Sequence, residues 1–241
     1  MIQFYAPDIL TTLELPESDS HHAVKVLRMR EGDELQVIDG HGTAYLCRLA
    51  DAHRKHAAVE IISSSPLPLP WSQQLAVAVA PTKHLDRMEW LVEKMTEVGV
   101  NTIIPLLCDR SERREIKVER LEKIAVSAMK QSLKATLPTI MPMTPLREVV
   151  GMMPDAQRMM AYCDPSIPRV DFAQTYKAGR DTMILIGPEG DFSPSEIEMT
   201  LAAGFSPVTL GDNRLRTETA ALYALSACHV IDSMHNLSIL T

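Results

Sequence analysis

Hydrophobic positions change their period about a quarter of the way along the chain. Over the first sixty or so residues they fall in short runs, Ile2–Tyr5, Leu35–Ile38, Thr43–Leu49 and Ala57–Ile62. Gly32-Asp33 and Asp39-Gly40-His41-Gly42 lie between them, so the runs read as strands joined by turns. A short helix is expected near Ser20, carrying Val24 and Leu27. Together these make a small β-rich module over residues 1–66, of the size of a small β-barrel. Residues 63–72, SSSPLPLPWS, carry proline at every second position from Pro66 to Pro70. Alternating proline removes N–H donors that a helix or a central strand needs. A stiff extended linker follows, with its core at 67–72 and a second domain over 73–241.

In that second part the pattern alternates between strand-like and helix-like. Strands are expected at Leu75–Val79, Thr102–Leu107, Arg158–Cys163, Thr182–Ile186 and Pro207–Leu210. Residues 83–98 carry one stripe (Leu85, Met88, Leu91, Val92, Met95, Val98) and end at Gly99, a helix with a glycine stop. Residues 118–133 repeat the pattern. At 193–203, Ser193, Pro194 and Glu196 spell an N-cap, a first-turn proline and a capping box, and Gly204 ends the helix. The last helix, about 218–232, is apolar on most sides, which fits a place in the core or at a dimer interface. Alternating strands and helices predict an α/β domain with a mostly parallel sheet and helices on both faces.

The bulk composition narrows the class without fixing it. The chain has 241 residues, 46% hydrophobic and 23% charged, as in ordinary globular proteins. Its start lacks the basic and apolar runs of a signal peptide. No apolar stretch reaches the about 18 residues of a membrane span, so no membrane partner is expected. Cys47, Cys108, Cys163 and Cys228 stand far apart and read as reduced thiols in a cytoplasmic protein. A net charge of −7 argues against nucleic acid as a partner, but charge is segregated. Residues 20–30 hold three cations and no acid, 110–134 hold eight cations against four glutamates, and 181–198 hold five acids and no base. Two readings stay open: a basic face on an acidic protein, or solvated helix faces with mixed pairs. The neighbouring His21 and His22 are equally open, facing RNA or simply exposed.

Ligands of open α/β sheets bind beyond the carboxyl ends of the strands. Two loops stand there, Gly187-Pro188-Glu189-Gly190-Asp191 after Ile186 and Leu210–Thr219 before the last helix. Each leads into a helix N-terminus with free N–H donors. A tight turn with no ligand explains the first loop as well. In the second, Thr217 or Thr219 can serve as an N-cap. Arg216 and Glu218 then lack a structural duty, unless Arg216 pairs with Glu218 or Glu189. Phosphate-loop, dinucleotide, zinc-protease and hydrolase-elbow motifs are missing. The eight histidines show no metal-ligand spacing.

The segments IGPEGDFSPSEI (186–197) and LGDNRLRTETAAL (210–222) resemble the ribosomal RNA small subunit methyltransferase E family, of the SPOUT or α/β-knot class. HHAVKVLRMREGD (21–33) is similar to that family's N-terminal RNA-binding motif. Lys83, Arg87, Glu89, Lys94, Glu97 and Gly99 match its first long helix. Pro105, Arg110-Ser111, Arg120, Ala128, Gln131-Ser132 and Pro138 extend the match over essentially the whole chain. The chain departs at Asp191, where the family usually has a second glycine, at Asn213-Arg214, where it has Arg-Ile, and at Lys134, where it has Arg.

The resemblance implies an N-terminal PUA-like barrel and a C-terminal domain with a deep trefoil knot. It also implies a homodimer with the active site near the interface. The activity would be methylation of N3 of a uridine in 16S rRNA, with the small ribosomal subunit as substrate, S-adenosylmethionine as donor and no metal. Ile186, Gly187, Pro188, Gly190, Leu210, Gly211 and Leu215 would cradle the donor, with Thr217 and Thr219 nearby. Arg216 would orient uridine or stabilise its developing charge. Glu218, with Glu189 second, would be the base. Arg28, Arg30, Lys83 and Arg110 are expected phosphate contacts. The alternatives are a ribose 2′-O-methyltransferase of the same class and a non-catalytic ribosome-assembly factor.

Overall fold

Alternation over the first sixty residues builds one four-stranded sheet. Its elements are β1 (Gln3–Tyr5), α1 (Ile9–Thr12), α2 (Glu17–His21), β2 (Glu34–Ile38), β3 (Thr43–Asp51) and β4 (Ala58–Pro66). A π-helical turn, His22–Val26, continues α2. The strand order is β1-β2-β3-β4, with β1 parallel to β2 and the other pairs antiparallel. Leu35, Val37, Cys47, Leu49 and Val59 point inward and bury against Phe4, Ile9 and Leu15. Strand β4 runs through Ser63–Pro66, part of the expected linker. Proline is tolerated there because β4 is an edge strand, where the missing N–H faces no neighbour.

The computed structural model describes residues 2–163 and 167–239. The chain forms two compact units, Met1–Pro70 with Val126–Leu137, and Trp71–Ala125 with Pro138–Thr241. Within the first, Lys130 donates to Asp19 Oδ1 at 2.7 Å and lies 5.9 Å over the Phe4 ring, while Asp19 Oδ2 accepts from the Tyr5 N–H.

The second unit contains β5 (Leu75–Val79), α3 (Leu85–Val98), β6 (Thr102–Leu107), the start of α4 (Val118–Gln131), β7 (Thr139–Ile140), β8 (Thr144–Pro145), α5 (Leu146–Val149) and β9 (Gln157–Ala161). It continues with β10 (Val170–Asp171), α6 (Phe172–Thr175), β11 (Thr182–Ile186), α7 (Pro194–Ala202), β12 (Ser206–Thr209) and α8 (Thr217–Ile239). The sheet order is β10-β12-β9-β11-β5-β6-β7, every pair parallel, with β8 beside β6. All five residues of β5 and of β11 are buried, as expected for strands covered on both faces.

Local signals hold at the helix ends. Ser193 and Glu196 form the capping box of α7. Gly99 closes α3 at φ 124°, and a Cβ there would stand 2.3 Å from the Trp71 ring. Trp71 itself donates to Asn101 Oδ1 at 3.0 Å. Helix α8 differs from expectation in length and in surface. It runs to Ile239. Ala221, Ala224, Leu225 and Cys228 are buried, but Tyr223, Val230, Met234 and Leu237 are exposed. Among the described residues no helix is long and apolar enough to cross a membrane.

Candidate active site

Strands β12, β9 and β11 are neighbours, so the loops after their carboxyl ends converge. They line a cavity of about 1090 Å³, walled by residues 161–163 and 167–169, 186–191 and 208–218, with Arg87 of α3 and Ala220. Both loops singled out in the sequence are in this wall.

The loop after β11 is built by close packing. A Cβ on Gly187 would lie 3.0 Å from the Phe192 ring, which is fully buried. Glycine lets that backbone pass the ring without either one shifting. Pro188 opens a turn closed by the Asp191 N–H, which donates to the Pro188 carbonyl at 2.9 Å. Gly190 lies under Arg110, whose Nη1 donates to the carbonyls of Gly190 at 2.7 Å and Phe192 at 3.2 Å. Asp191, where the resembling family has glycine, sits at φ 61°. Aspartate tolerates this left-handed region because its short polar side chain bonds locally. Here Oδ1 accepts from the Phe192 N–H at 2.9 Å and Oδ2 from the Cys163 N–H at 3.1 Å.

The loop after β12 is open. Gly211 has φ 102° and nothing within 4 Å of where a Cβ would stand. Among the described residues, no main-chain N–H from Gly211 to Leu215 donates to a protein acceptor. Leu210 and Leu215 are half-buried. Thr217 donates to the Gly187 carbonyl at 3.4 Å, which ties the two loops together. Neither threonine caps α8 as expected. Thr217 is turned to the other loop, and Thr219 is an exposed residue within the helix.

The charged residues separate clearly. Arg216 is exposed on the cavity wall, and among the described residues its guanidinium has no partner, so neither anticipated ion pair forms. Glu189 is exposed and accepts weakly from the Lys83 N–H at 3.4 Å. Glu218 is 7% exposed. Its Oε1 lies 3.8 Å from Arg87 Nε, and its Oε2 is buried without a hydrogen-bond partner. Cys163 stands on the same wall. Partial burial, then the charge of Asp191, pushes its thiol pKa up, against the pull of Arg169 and Arg214.

The expected phosphate contacts differ in freedom. Arg28, at φ 57°, and Arg30 are exposed in the first unit, and neither guanidinium has a partner among the described residues. Lys83 Nζ lies 3.4 Å from Glu112. Arg110 clamps the loop, as described. Arg113 donates to the Thr82 and Lys83 carbonyls, and Arg120 pairs with Glu89. Much of the basic stretch at 110–134 therefore has partners within the fold. Of the two neighbouring histidines, His21 is exposed and His22 packs edge-on to Phe4.

Arg87 and Trp90 were not anticipated as site residues. The signal for them is weak but present: an arginine and a tryptophan one turn apart on α3, off its buried stripe.

Known family models match both parts of the chain. An RNA methyltransferase domain model matches residues 69–229, and an RNA methyltransferase PUA domain model matches residues 15–62. Ribosomal RNA small subunit methyltransferase E of Bacillus subtilis is 28% identical, covering 90% of this chain and 89% of that protein. A probable rRNA-methyltransferase from Porphyromonas gingivalis has 44% identity and a TM-score of 0.94, covering 98% of this chain and 100% of that one. Ribosomal RNA small subunit methyltransferase E from Neisseria gonorrhoeae, bound to S-adenosyl methionine, has 29% identity and a TM-score of 0.76, covering 98% of each chain.

Proposed function

The chain belongs to the family of RNA methyltransferases that includes ribosomal RNA small subunit methyltransferase E, and from that premise we propose that it methylates N3 of a uridine in 16S rRNA, with S-adenosylmethionine as donor and the small ribosomal subunit as substrate. The observation that carries the reading is the pairing, in one cavity, of an open main-chain cradle at Gly211–Leu215 with a buried, half-partnered carboxylate at Glu218.

The residues present fit the donor. A cavity of about 1090 Å³ exceeds the roughly 300–1,000 Å³ of common ligand pockets. That leaves ample room for a nucleoside donor. Ile186, Pro188, Leu210 and Leu215 supply apolar walls, and Gly187, Gly190 and Gly211 bring the main chain close. Its wall holds Glu189, Asp191, Asp212 and Glu218 beside Arg87, Arg169, Arg214 and Arg216, so a donor that carries both cationic and anionic groups meets both signs of charge. Thr217 and Thr219 bracket Glu218 at the start of α8. When bound, S-adenosylmethionine supplies a methyl group on a positive sulfonium that leaves as a neutral thioether.

The protein's part is alignment and proton handling. Uridine N3 is a weak nucleophile until its proton leaves. Glu218, with its free Oε2, takes that proton, and Glu189 is the second candidate. Arg216, unpaired at the rim, meets the negative charge that develops on the uracil carbonyls. Arg28, Arg30 and Lys83 hold phosphates. Arg110, given the same role from sequence, holds the loop of Gly190 as well.

Four wider features belong to the same reading. The β1–β4 unit completes a PUA-like barrel, and the three converging loops form part of a trefoil knot. The exposed apolar stripe of α8 supports a homodimer. Four unpaired thiols fit a cytoplasmic protein.

Arg216→Ala tests the reading. Donor affinity by calorimetry should stay within about twofold, while turnover falls by about 10²–10³. Lost donor affinity would instead make Arg216 part of the donor cradle.

A further inference from the structure

A second cavity, of about 450 Å³, opens beside the first and is lined by Asp86, Arg87, Trp90, Glu218 and Thr219. Arg87 and Glu218 belong to both cavities. Trp90 is 43% exposed on α3, although a tryptophan usually covers its large apolar ring. Glu218 Oε2, buried and unpartnered, adds an acceptor with no donor. A buried acceptor without a donor costs free energy that a bound group can recover.

From these features we propose that the second cavity is the subsite for the acceptor base: an unpaired uracil stacks on the Trp90 indole and donates its N3–H to Glu218 Oε2. This rests on the methyltransferase reading and gives it a substrate site. Stacking on an exposed aromatic ring is the common way for a protein to hold an extruded RNA base.

The polar groups select the base. An ionised carboxylate only accepts hydrogen bonds. Uracil and guanine carry an N–H at the centre of their pairing edges, whereas cytosine and adenine carry a bare nitrogen there. Arg87 donates to the flanking carbonyl oxygens, and its 3.8 Å approach to Glu218 Oε1 leaves donors free for them. Uracil has carbonyls on both sides of N3, guanine on one side only, so uracil fits best.

Glu218 stands in both cavities, so the base nitrogen held in the second lies beside the donor held in the first. The N3 proton passes to Glu218 and the N3–carbon bond forms. The carbon–sulfur bond breaks, with its electron pair staying on sulfur.

The test compares Trp90→Ala and Trp90→Phe with wild type on small ribosomal subunits lacking the methyl group. Donor affinity is measured by calorimetry and oligomeric state by sedimentation. Trp90→Ala should lower kcat/KM for the subunit by about tenfold to a hundredfold. Trp90→Phe should restore most of it, with donor affinity and oligomeric state unchanged. Wild-type kcat/KM in Trp90→Ala would overturn the subsite. So would a loss that tracks donor affinity, or one that tracks dissociation of subunits, which would place Trp90 under a second copy of the chain. A wild-type protein that methylates no RNA would fail the methyltransferase reading instead.

Discussion

The Asp191 carboxylate accepts a hydrogen bond from the main-chain N–H of Cys163 at 3.1 Å and so joins the loop after β11 to the end of β9. The two segments are adjoining parts of one cavity wall. A glycine at 191 would relieve the φ of 61° but would leave this N–H and that of Phe192 without their side-chain acceptor.

Asp191→Ala combines both penalties, since alanine is strained at positive φ and cannot accept. A loss of about 2–3 kcal/mol is expected, with weaker donor binding. Asp191→Gly should lose less stability and Asp191→Asn least, because the amide oxygen can still accept one of the two N–H bonds. Denaturant melts and donor titration of the three variants check the order. Equal stability in Asp191→Ala would remove the bracing role.

Arg110 provides a contrast with Arg28. Its guanidinium holds the carbonyls of Gly190 and Phe192. Arg110→Ala should weaken donor binding about tenfold, the worth of a charge-assisted bond. Arg28→Ala should leave donor binding alone and reduce the salt slope of RNA binding by about one. An Arg110 variant that changes only the salt slope would return Arg110 to a phosphate role.

Gly187→Ala puts a methyl group 3.0 Å from the buried Phe192 ring. Overpacking of this kind costs about 1–3 kcal/mol. The loop should shift away from the ring, so donor affinity falls more than the melting temperature. Phe192→Leu in the same background makes room and should recover part of that affinity. No recovery would mean that the ring does not set the position of Gly187.

Cysteine labelling reports on the same wall. Burial raises the pKa of the thiols of Cys47, Cys108 and Cys228, that of Cys47 to about 11. At pH 8 these stay protonated and slow to react, and only exposed Cys163 should label in the native protein. Its own thiol is held up by partial burial and then by the charge of Asp191. Removing that charge in Asp191→Asn lowers the pKa, raises the thiolate fraction and should speed labelling. Bound donor should slow it. Labelling that ignores the donor would put Cys163 outside the donor site.

Much of the second unit is legible in the sequence. The strands Leu75–Val79, Thr102–Leu107 and Thr182–Ile186 are read to the residue, because strands buried on both faces give unbroken apolar runs. Ser193-Pro194 and Gly204 mark α7 through local chemistry alone. Strands β7, β8 and β10, of two residues each, and the four-residue α5 and α6 carry too little sequence to show a period. Pro66 in β4 escapes because the sequence does not reveal which strand is an edge. At the site, Gly187 and Gly211 are visible as glycines after strands. The partners of Arg110 are not, since they are carbonyls of residues 80 and 82 positions away. The burial of Glu218 and its pairing with Arg87 likewise arise only when α3 meets α8.

The central claim is tested most directly by incubating the purified protein with small ribosomal subunits that lack the modification and with labelled S-adenosylmethionine. The RNA is then digested and its nucleosides are resolved by mass. Label in 3-methyluridine is the expected result. Label in a ribose-methylated nucleoside, or donor binding with no transfer to the subunit, would contradict it.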